Sequence, residues 1–326
     1  MRASTSIAAA GVVALGLLSG PSLGAFRQDA TFRYQWKKGV PVKYRVVQQS
    51  TTTLTGLPGG MDNLTIDQST SQTLTSVAED VAADGTTTLR QTVDAIKMDL
   101  NSPVLTMAFD SANPDANPNP TNTMLKNIFT QLIGQSYTLT MAPTGEVKKV
   151  EGISQLAEKM FKNVSQDPMM SGMLDGMKAN LSDDAMKNLF TQSFAQFPDK
   201  PIKVGDSWNG QVATANPMLG TLVTSFKSTL KSVDADAGGR VAHVVITLSV
   251  KRDSAKPVPP NPMGMTLDMG ESTGEGEQVF DAGTGLLRSS IVRLTIPMSM
   301  SGNGPDGTPL NMQTNVKSTT TTEMVK

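Results

Sequence analysis

The chain of 326 residues contains no cysteine. That excludes disulfide staples, thiolate metal sites, cysteine nucleophiles and the acylated cysteine of a lipoprotein. Histidine occurs once, as His243, whereas the common zinc sites draw on several His or Cys ligands. Aromatic residues are sparse, with 2 Trp, 3 Tyr and 10 Phe, fewer than stacking platforms for bases would want. Charge of one sign is lacking too: 28 Lys and Arg face 29 Asp and Glu, a formal net charge of −1. Such a balance offers no electrostatic footprint for nucleic acid or an anionic membrane. No stretch approaches the roughly 20 apolar residues of a membrane-spanning helix.

The amino terminus carries Arg2, an uncharged run from Ile7 to Leu18, and then Pro21-Ser22-Leu23-Gly24-Ala25. The run of about 12 residues has the length of a signal-peptide core. Residues 1–25 are therefore expected to be a signal peptide, cleaved near Gly24 or Ala25. Export to the periplasm or the exterior follows, without stable membrane insertion.

The chain also repeats itself. Residues 65–80, moved forward by 156 positions, lie on 221–236 without a gap. Thr65/Thr221, Ser69/Ser225, Thr73/Thr229, Leu74/Leu230, Ser76/Ser232, Val77/Val233 and Asp80/Asp236 are then identical. The flanks agree as well. Lys37-Lys38-Gly39 and Lys203-Val204-Gly205 precede aromatic-bearing segments, while Ala142-Pro143-Thr144-Gly145 and Ala282-Gly283-Thr284-Gly285 sit between apolar-polar stretches. Repeats of this kind govern architecture. The organisation expected is a first β repeat over 26–152, a methionine-rich helical connector over 153–198, and a second β repeat over 199–326.

Alternation of apolar and polar residues over 86–98 and 240–251 predicts strands, each preceded by a glycine-bearing turn (Asp84-Gly85, Gly238-Gly239). Long strands over 64–78 and 220–234 complete two hairpins. Helical spacing appears in 122–135, with cap candidates Thr121 to Thr123, in 153–164, and in 186–197 with Ser182 as N-cap. Pro-rich segments at 114–120 and 257–262 read as loops.

The motifs that could carry chemistry are weak. Gly270-Glu271-Ser272-Thr273-Gly274 matches the nucleophile elbow of hydrolases, but the motif needs a histidine downstream, and His243 lies before it. Ser228-Thr229-Leu230-Lys231 fits Ser-x-x-Lys, yet in a strand Ser228 and Lys231 point to opposite faces. Asp110, Asn113, Asp115 and Asn117 cluster in one loop without the spacing of a calcium loop. Met263-x-Met265 and Met298-x-Met300 resemble thioether pairs that bind Cu(I), but in a strand they also make a plain apolar stripe, the reading preferred here. No cofactor is expected, and no catalytic constellation assembles.

Methionine is abundant, with 20 residues. Met160, Met169, Met170, Met173, Met177 and Met186 keep helical spacing interrupted by Gly172 and Gly176. They describe either a soft, adaptable surface for an apolar ligand or an ordinary helical cover of the core.

A series of landmarks resembles an uncharacterised family of exported bacterial proteins with a domain of unknown function. They are Gly85-Thr86 entering a strand through Val93 and Ile96-Lys97-Met98, then Phe109-Asp110-Ser111, Tyr137 through Pro143 with Gly145-Glu146-Val147 and Gly152, and Pro198-x-x-Pro201 with Val204-Gly205-Asp206-Ser207-Trp208. The resemblance implies export and a largely β fold, and it brings no site residues.

The fold expected is α+β, with duplicated antiparallel meanders in one curved sheet or two opposed sheets, and an inter-repeat helical segment over the apolar face. The function expected is a non-enzymatic binding or carrier protein for a lipid or other apolar ligand, with the six methionines as candidate lining. The alternative is a structural or protein-interaction module of the envelope.

Overall fold

The computed structural model describes residues 30–57, 63–116, 118–161, 181–216, 219–236, 239–256, 266–303 and 309–325. The first part of the chain forms β1 (Pro41–Thr55), β2 (Leu64–Val81), β3 (Thr87–Asn101), β4 (Thr106–Asp110), helix α1 (Pro120–Phe129), β5 (Ser136–Met141) and β6 (Val147–Glu151). Helices α2 (Ile153–Phe161) and α3 (Asp183–Ser193) follow. The second part forms β7 (Ser207–Asn216), β8 (Gly220–Asp236), β9 (Gly239–Arg252), β10 (Thr266–Met269), β11 (Ser272–Asp281), β12 (Leu286–Asn303) and β13 (Pro309–Val325).

All thirteen strands belong to one antiparallel sheet. Its order is β6-β5-β3-β2-β1-β13-β12-β11-β9-β8-β7, with β4 beside β3 and β10 beside β12. The expected α+β class is thereby corrected to a predominantly β architecture. The helical segments are short, and the strands run to 18 residues in β2 and β12. Of the two sheet arrangements expected, one sheet is found.

The hairpins anticipated over 64–98 and 220–251 are present as β2–β3 and β8–β9. Each ladder slips beside one of the matched leucines, by an extra residue on β3 (Asp94) in the first and on β8 (Lys231) in the second. In the first, Leu74 faces Val93 while Thr73 faces Ala95; in the second, Leu230 faces Val244 while Ser232 faces His243. Such bulges bend a ladder and increase its twist. Ser182 caps α3 by accepting a hydrogen bond from the Ala185 N–H at 3.2 Å. For α1 the expected threonine caps give way to Asn119, whose side chain accepts from Asn122 N–H at 2.8 Å. Pro120 sits just inside this helix start, where its missing N–H costs nothing.

The sheet is not closed by a ladder, but it is strongly curled. Its two edge strands, β6 and β7, both pack against α3. An 11-residue helix is about 16 Å long, whereas a flat array of that many strands at about 4.8 Å spacing would be far wider. Two further tethers draw the edges together. Phe197 N–H donates to Thr144 C=O at 2.8 Å, and Ala30 and Ile202 exchange backbone hydrogen bonds of 2.8 and 2.9 Å.

One end of the curl is plugged by the extended segment 30–36. Ala30, Phe32, Tyr34 and Trp36 are buried, with Phe32 at 2% exposure, while Thr31 and Gln35 face out. Consecutive residues of this segment hold the two turns matched in the sequence. Tyr34 N–H donates to Pro143 C=O at 2.8 Å, and Gln35 N–H to Gly285 C=O at 3.0 Å. The close approach explains the glycines. A Cβ on Gly145, at φ +91°, would lie 2.2 Å from the Ala195 carbonyl oxygen and 2.8 Å from the Tyr34 ring. Phe197 and Phe280 complete an aromatic cluster, with centroids 4.8 Å apart and Phe32 within 5.4 and 6.3 Å of them.

Pro297 lies inside the long β12, where proline usually breaks a ladder. Its carbonyl accepts from Gly270 N–H at 2.9 Å, so its nitrogen also faces the side of β10 and β11. Those two strands are separated at Gly270–Glu271, and the gap leaves no acceptor waiting for the missing donor.

Candidate functional site: the uncharged inner face

The strand registers sort every residue of the sheet onto one of two faces. The inner face, which carries the core, holds Tyr44, Gln48, Ser50, Thr52 and Leu54 from β1, with Leu74, Gln72, Thr70, Ile66 and Leu64 beside them on β2. Across the sheet it holds Val292, Leu294, Ile296, Met298 and Met300 of β12 against Thr320, Ser318, Val316, Thr314 and Met312 of β13. Phe226, Ile246 and Gly276 share the same face further out. Apart from Arg240 and Arg252 at strand ends, the charged side chains of the described strands lie on the other face or at bulges. Lys43, Arg45, Arg293, Lys317 and Glu323 are examples of outward residues. An amphipathic sheet of this type separates charge from core as alternation dictates.

The inner face has two halves. Toward the plug it is filled: Leu89, Leu139, Leu230, Val244, Phe280 and Leu287 are all at or below 2% exposure. Beyond the plug, Leu54, Leu64, Ile66, Leu294, Ile296, Met298, Met300, Leu310, Met312 and Val316 are only half-buried. Between these apolar flanks runs a neutral polar strip of Ser50, Thr52, Ser318 and Thr320 on β1 and β13. The arrangement provides an extended apolar surface with hydroxyl groups along its middle.

A crevice joins the two halves under α3. Thr191, Phe194 and Gln196 meet Phe226, Ser228, Ile246, Leu248, Gln278 and Val292 there, around a free volume of about 20 Å³, room for one water molecule. Phe226 lies over Gly210, whose imagined Cβ would fall 2.0 Å from the ring. Trp208 Nε1–H donates to Gln196 C=O at 2.6 Å, holding the α3–β7 connection onto the sheet.

Of the six methionines expected to line a ligand site, Met160 is 5% exposed in a small cluster with Ile128, Ala157 and Phe161. Met186 is partly buried against the main core. Met169, Met170, Met173 and Met177 lie outside the described residues, as do Met263 and Met265. Ser272 opens β11 at 0% exposure, and its hydroxyl donates to Gly270 C=O at 3.3 Å. It faces no histidine. Ser228 is buried on the inner face, whereas Lys231 stands at the β8 bulge and lines an outer pocket of about 170 Å³ with Ser232, His243 and Glu277. In that pocket Ser232 Oγ donates to Asp234 Oδ2 at 3.1 Å, and His243 Nε2 lies 3.2 Å from the same oxygen. Hydroxyl and imidazole thus both point to one carboxylate, which is not the relay a serine nucleophile needs. The Asp110 loop is self-contained. Asp110 accepts from Ala112 N–H, and Asp115 pairs with Lys126. Among the described residues no group of three or more His, Cys, Asp or Glu could hold a metal ion, and no helix is long and apolar enough to cross a membrane.

Two features escaped the sequence reading. One is the plug, although the strict alternation from Ala30 to Trp36 was visible. The other is Asp281, 4% exposed at the β11–β12 turn. It accepts from Gly283 and Thr284 N–H, both at 2.9 Å, and from Arg288 Nε at 3.0 Å and a terminal nitrogen at 2.6 Å. Burial alone would raise its pKa, but the Thr284 N–H, the Arg288 guanidinium and the Gly283 N–H together hold it below the ordinary carboxylate value. Burial pushes the phenols of Tyr44 and Tyr137 up. They act as neutral donors, to Leu287 C=O at 3.0 Å and to Gln91 Oε1 at 2.7 Å.

Residues 84–287 match a family model described as a family of unknown function (DUF6263). The chain belongs to this family. The DUF6263 match runs from the β2–β3 turn to the start of β12, leaving β1, β2, β13 and most of β12, the middle of the sheet, outside it. No curated protein matches the chain at a significant level. Among solved structures, 90% of this DUF6263 chain aligns with 26% of a lipovitellin chain described for its lipid–protein interactions, at 9% identity and a TM-score of 0.49. It therefore spans about a quarter of that protein. DynF from the dynemicin pathway of Micromonospora chersina aligns over 92% of this chain and 89% of its own, at 7% identity and a TM-score of 0.18. An outer membrane channel from Pseudomonas putida F1 aligns over 90% and 99%, at 9% identity and a TM-score of 0.18. Similarity this low leaves the function to be argued from the inner face itself.

Proposed function

We propose that this chain is an exported, non-enzymatic binding protein that carries an apolar ligand on the inner face of its sheet. The observation that carries the reading is the half-buried, uncharged distal part of that face. Folding ordinarily hides apolar area at about 25 cal/mol per Å², and contiguous apolar surface left open marks an interaction site. The ligand that suits it is an extended acyl or similar chain. Its body would lie along Leu294 to Met300 or Leu64 to Ile66, and a neutral hydroxyl or amide head would meet the Ser and Thr strip. The absence of fixed charge on the face disfavours a ligand that must bury a carboxylate or phosphate there.

Two meanders descended from one duplicated unit are supported by the paired hairpins β2–β3 and β8–β9 and the paired turns at Gly145 and Gly285. Helix α3, which packs on both edge strands, would act as the movable cover. The crevice below α3 holds no more than a water, so a ligand reaching the filled half must displace Phe194 or Phe226.

Organic extraction of protein purified from its native envelope, followed by mass spectrometry, tests the reading together with titration of a fluorescent fatty acid. A co-purifying lipid, and probe binding weakened at least tenfold by Ile296→Lys, is expected. If no lipid is extracted and the probe does not bind, the face is an interaction surface and the structural module takes its place.

A further inference from the structure

The distal end of the inner face gathers thioethers. Met269 of β10 stands directly opposite Met298 of β12. Met300, two residues on and therefore on the same face, stands directly opposite Met312 of β13. Directly opposed residues have Cβ atoms about 4.5–5.5 Å apart. The unbranched, three-torsion methionine chain lets neighbouring sulfurs converge. All four residues are half-buried rather than sealed in the core. The Gly270 N–H to Pro297 C=O bond pins β10 onto β12 beside the first pair.

We propose that Met269, Met298, Met300 and Met312 form a binding site for a soft monovalent metal ion, Cu(I) or Ag(I). Thioether sulfur is a soft, neutral donor that selects such ions, whereas Mg(II), Ca(II) and Mn(II) require oxygen ligands. The strand face around the cluster supplies no carboxylate, because Asp268 of β10 lies at the outward register. The chain offers no thiolate to compete, and its one imidazole belongs to the outer pocket on β8–β9. A neutral donor set leaves the ion its single positive charge, a burden the half-open face tolerates and a sealed core would not. The site shares Met298 and Met300 with the surface proposed for the apolar ligand but does not require that ligand. It uses sulfur lone pairs, where that reading uses surface area.

Titration of Ag(I) into the full-length protein, by calorimetry and by X-ray absorption at the silver edge, tests the site. Wild type is expected to bind one Ag(I) at this cluster with sulfur as the near neighbour. Met298→Leu/Met300→Leu keeps volume and apolarity and should weaken that binding at least tenfold, while Met324→Leu changes nothing. Thr314→Met, which places a fifth thioether on β13 directly opposite Met298, should tighten it. Unchanged silver affinity in the double variant, or a shell of oxygen and nitrogen only, overturns the proposal. Failure of wild type to bind the fatty-acid probe would count against the carrier alone, because the silver site is read separately through its sulfur shell.

Discussion

Replacing Phe32 by alanine tests whether the plug is structural or incidental. Phe32 is 2% exposed and lies with its ring 5.4 Å from Phe197 and 6.3 Å from Phe280. Removing a buried phenylalanine side chain costs about 3–5 kcal/mol when the surroundings cannot collapse. Collapse is hindered here because the cavity would be walled by three separate parts of the chain: segment 30–36, the approach to β7, and β11. Besides its buried side chains, segment 30–36 is held by the exchange with Ile202, two backbone bonds to turns and the Arg33 guanidinium, which donates to Pro198 C=O and Asp199 C=O at 2.9 and 2.8 Å. Phe32→Ala should therefore lose about 4 kcal/mol in urea denaturation. The chain's two tryptophans, Trp36 and Trp208, both sit at the plug. Tryptophan fluorescence should thus report its release at lower urea than far-UV circular dichroism reports loss of the sheet. A loss below about 1 kcal/mol, or superimposable transitions at the wild-type midpoint, would refute the assignment of the plug as a keystone.

Asp281→Asn should cost about 2–3 kcal/mol, since it leaves Arg288 without its carboxylate and turns an amide toward two N–H donors. Asp281 titrates below its unfolded value, so its contribution is complete above about pH 4 and lost as pH falls through the native pKa. Wild type should accordingly lose more stability than Asp281→Asn between pH 4 and pH 2 in parallel urea melts. Gly145→Ala places a methyl into the Ala195 carbonyl at a positive φ and should cost at least about 2 kcal/mol by thermal melt. Amino-terminal sequencing of the protein recovered from its native host should find a first residue near Ala25 or Phe26, and a retained Met1 would exclude cleavage. Ser272→Ala should leave fluorophosphonate labelling as absent as in wild type, and labelling lost on that substitution would revive a hydrolase.

Local patterning made the hairpins over β2–β3 and β8–β9 legible, because Leu89 to Val93 and Val244 to Val250 alternate with polar residues as a one-sided sheet requires. The Ser182 cap was equally plain. The last strand was not. In β13, Ser318 through Thr322 offer no contrast between faces, and only the preference of threonine for pleated surfaces marks them. Pro297 interrupts the strand pattern of β12, and only the gap between β10 and β11 accommodates it. The helical class was overestimated because apolar spacing over 122–135 continues past Phe129, where a 3-10 turn from Thr130 to Leu132 replaces the helix. The uncharged inner face was present in the sequence as scattered alternation, but it becomes one surface only when the registers are set by pairings far apart in the chain. The thioether cluster shows the same point, since Met269, Met298, Met300 and Met312 come from three strands.

The central ladder between β1 and β13 also shapes how the molecule is assembled in time. Every other long ladder joins elements near one another in the chain, but this one places Lys43 opposite Val325 and Thr55 opposite Gln313. Its loop-closure entropy is the largest in the sheet, and contacts so distant slow the search for the native topology. Each meander can zip from its own hairpins, leaving the seam between them to close last. Until it does, β1 and β13 are two long, threonine-rich edges with unpaired backbone, the template on which chains join to one another. Two such molecules side by side can satisfy both seams by exchanging halves. Slow refolding and swapped dimers at high concentration are therefore inherent in placing these two strands at the centre of the sheet.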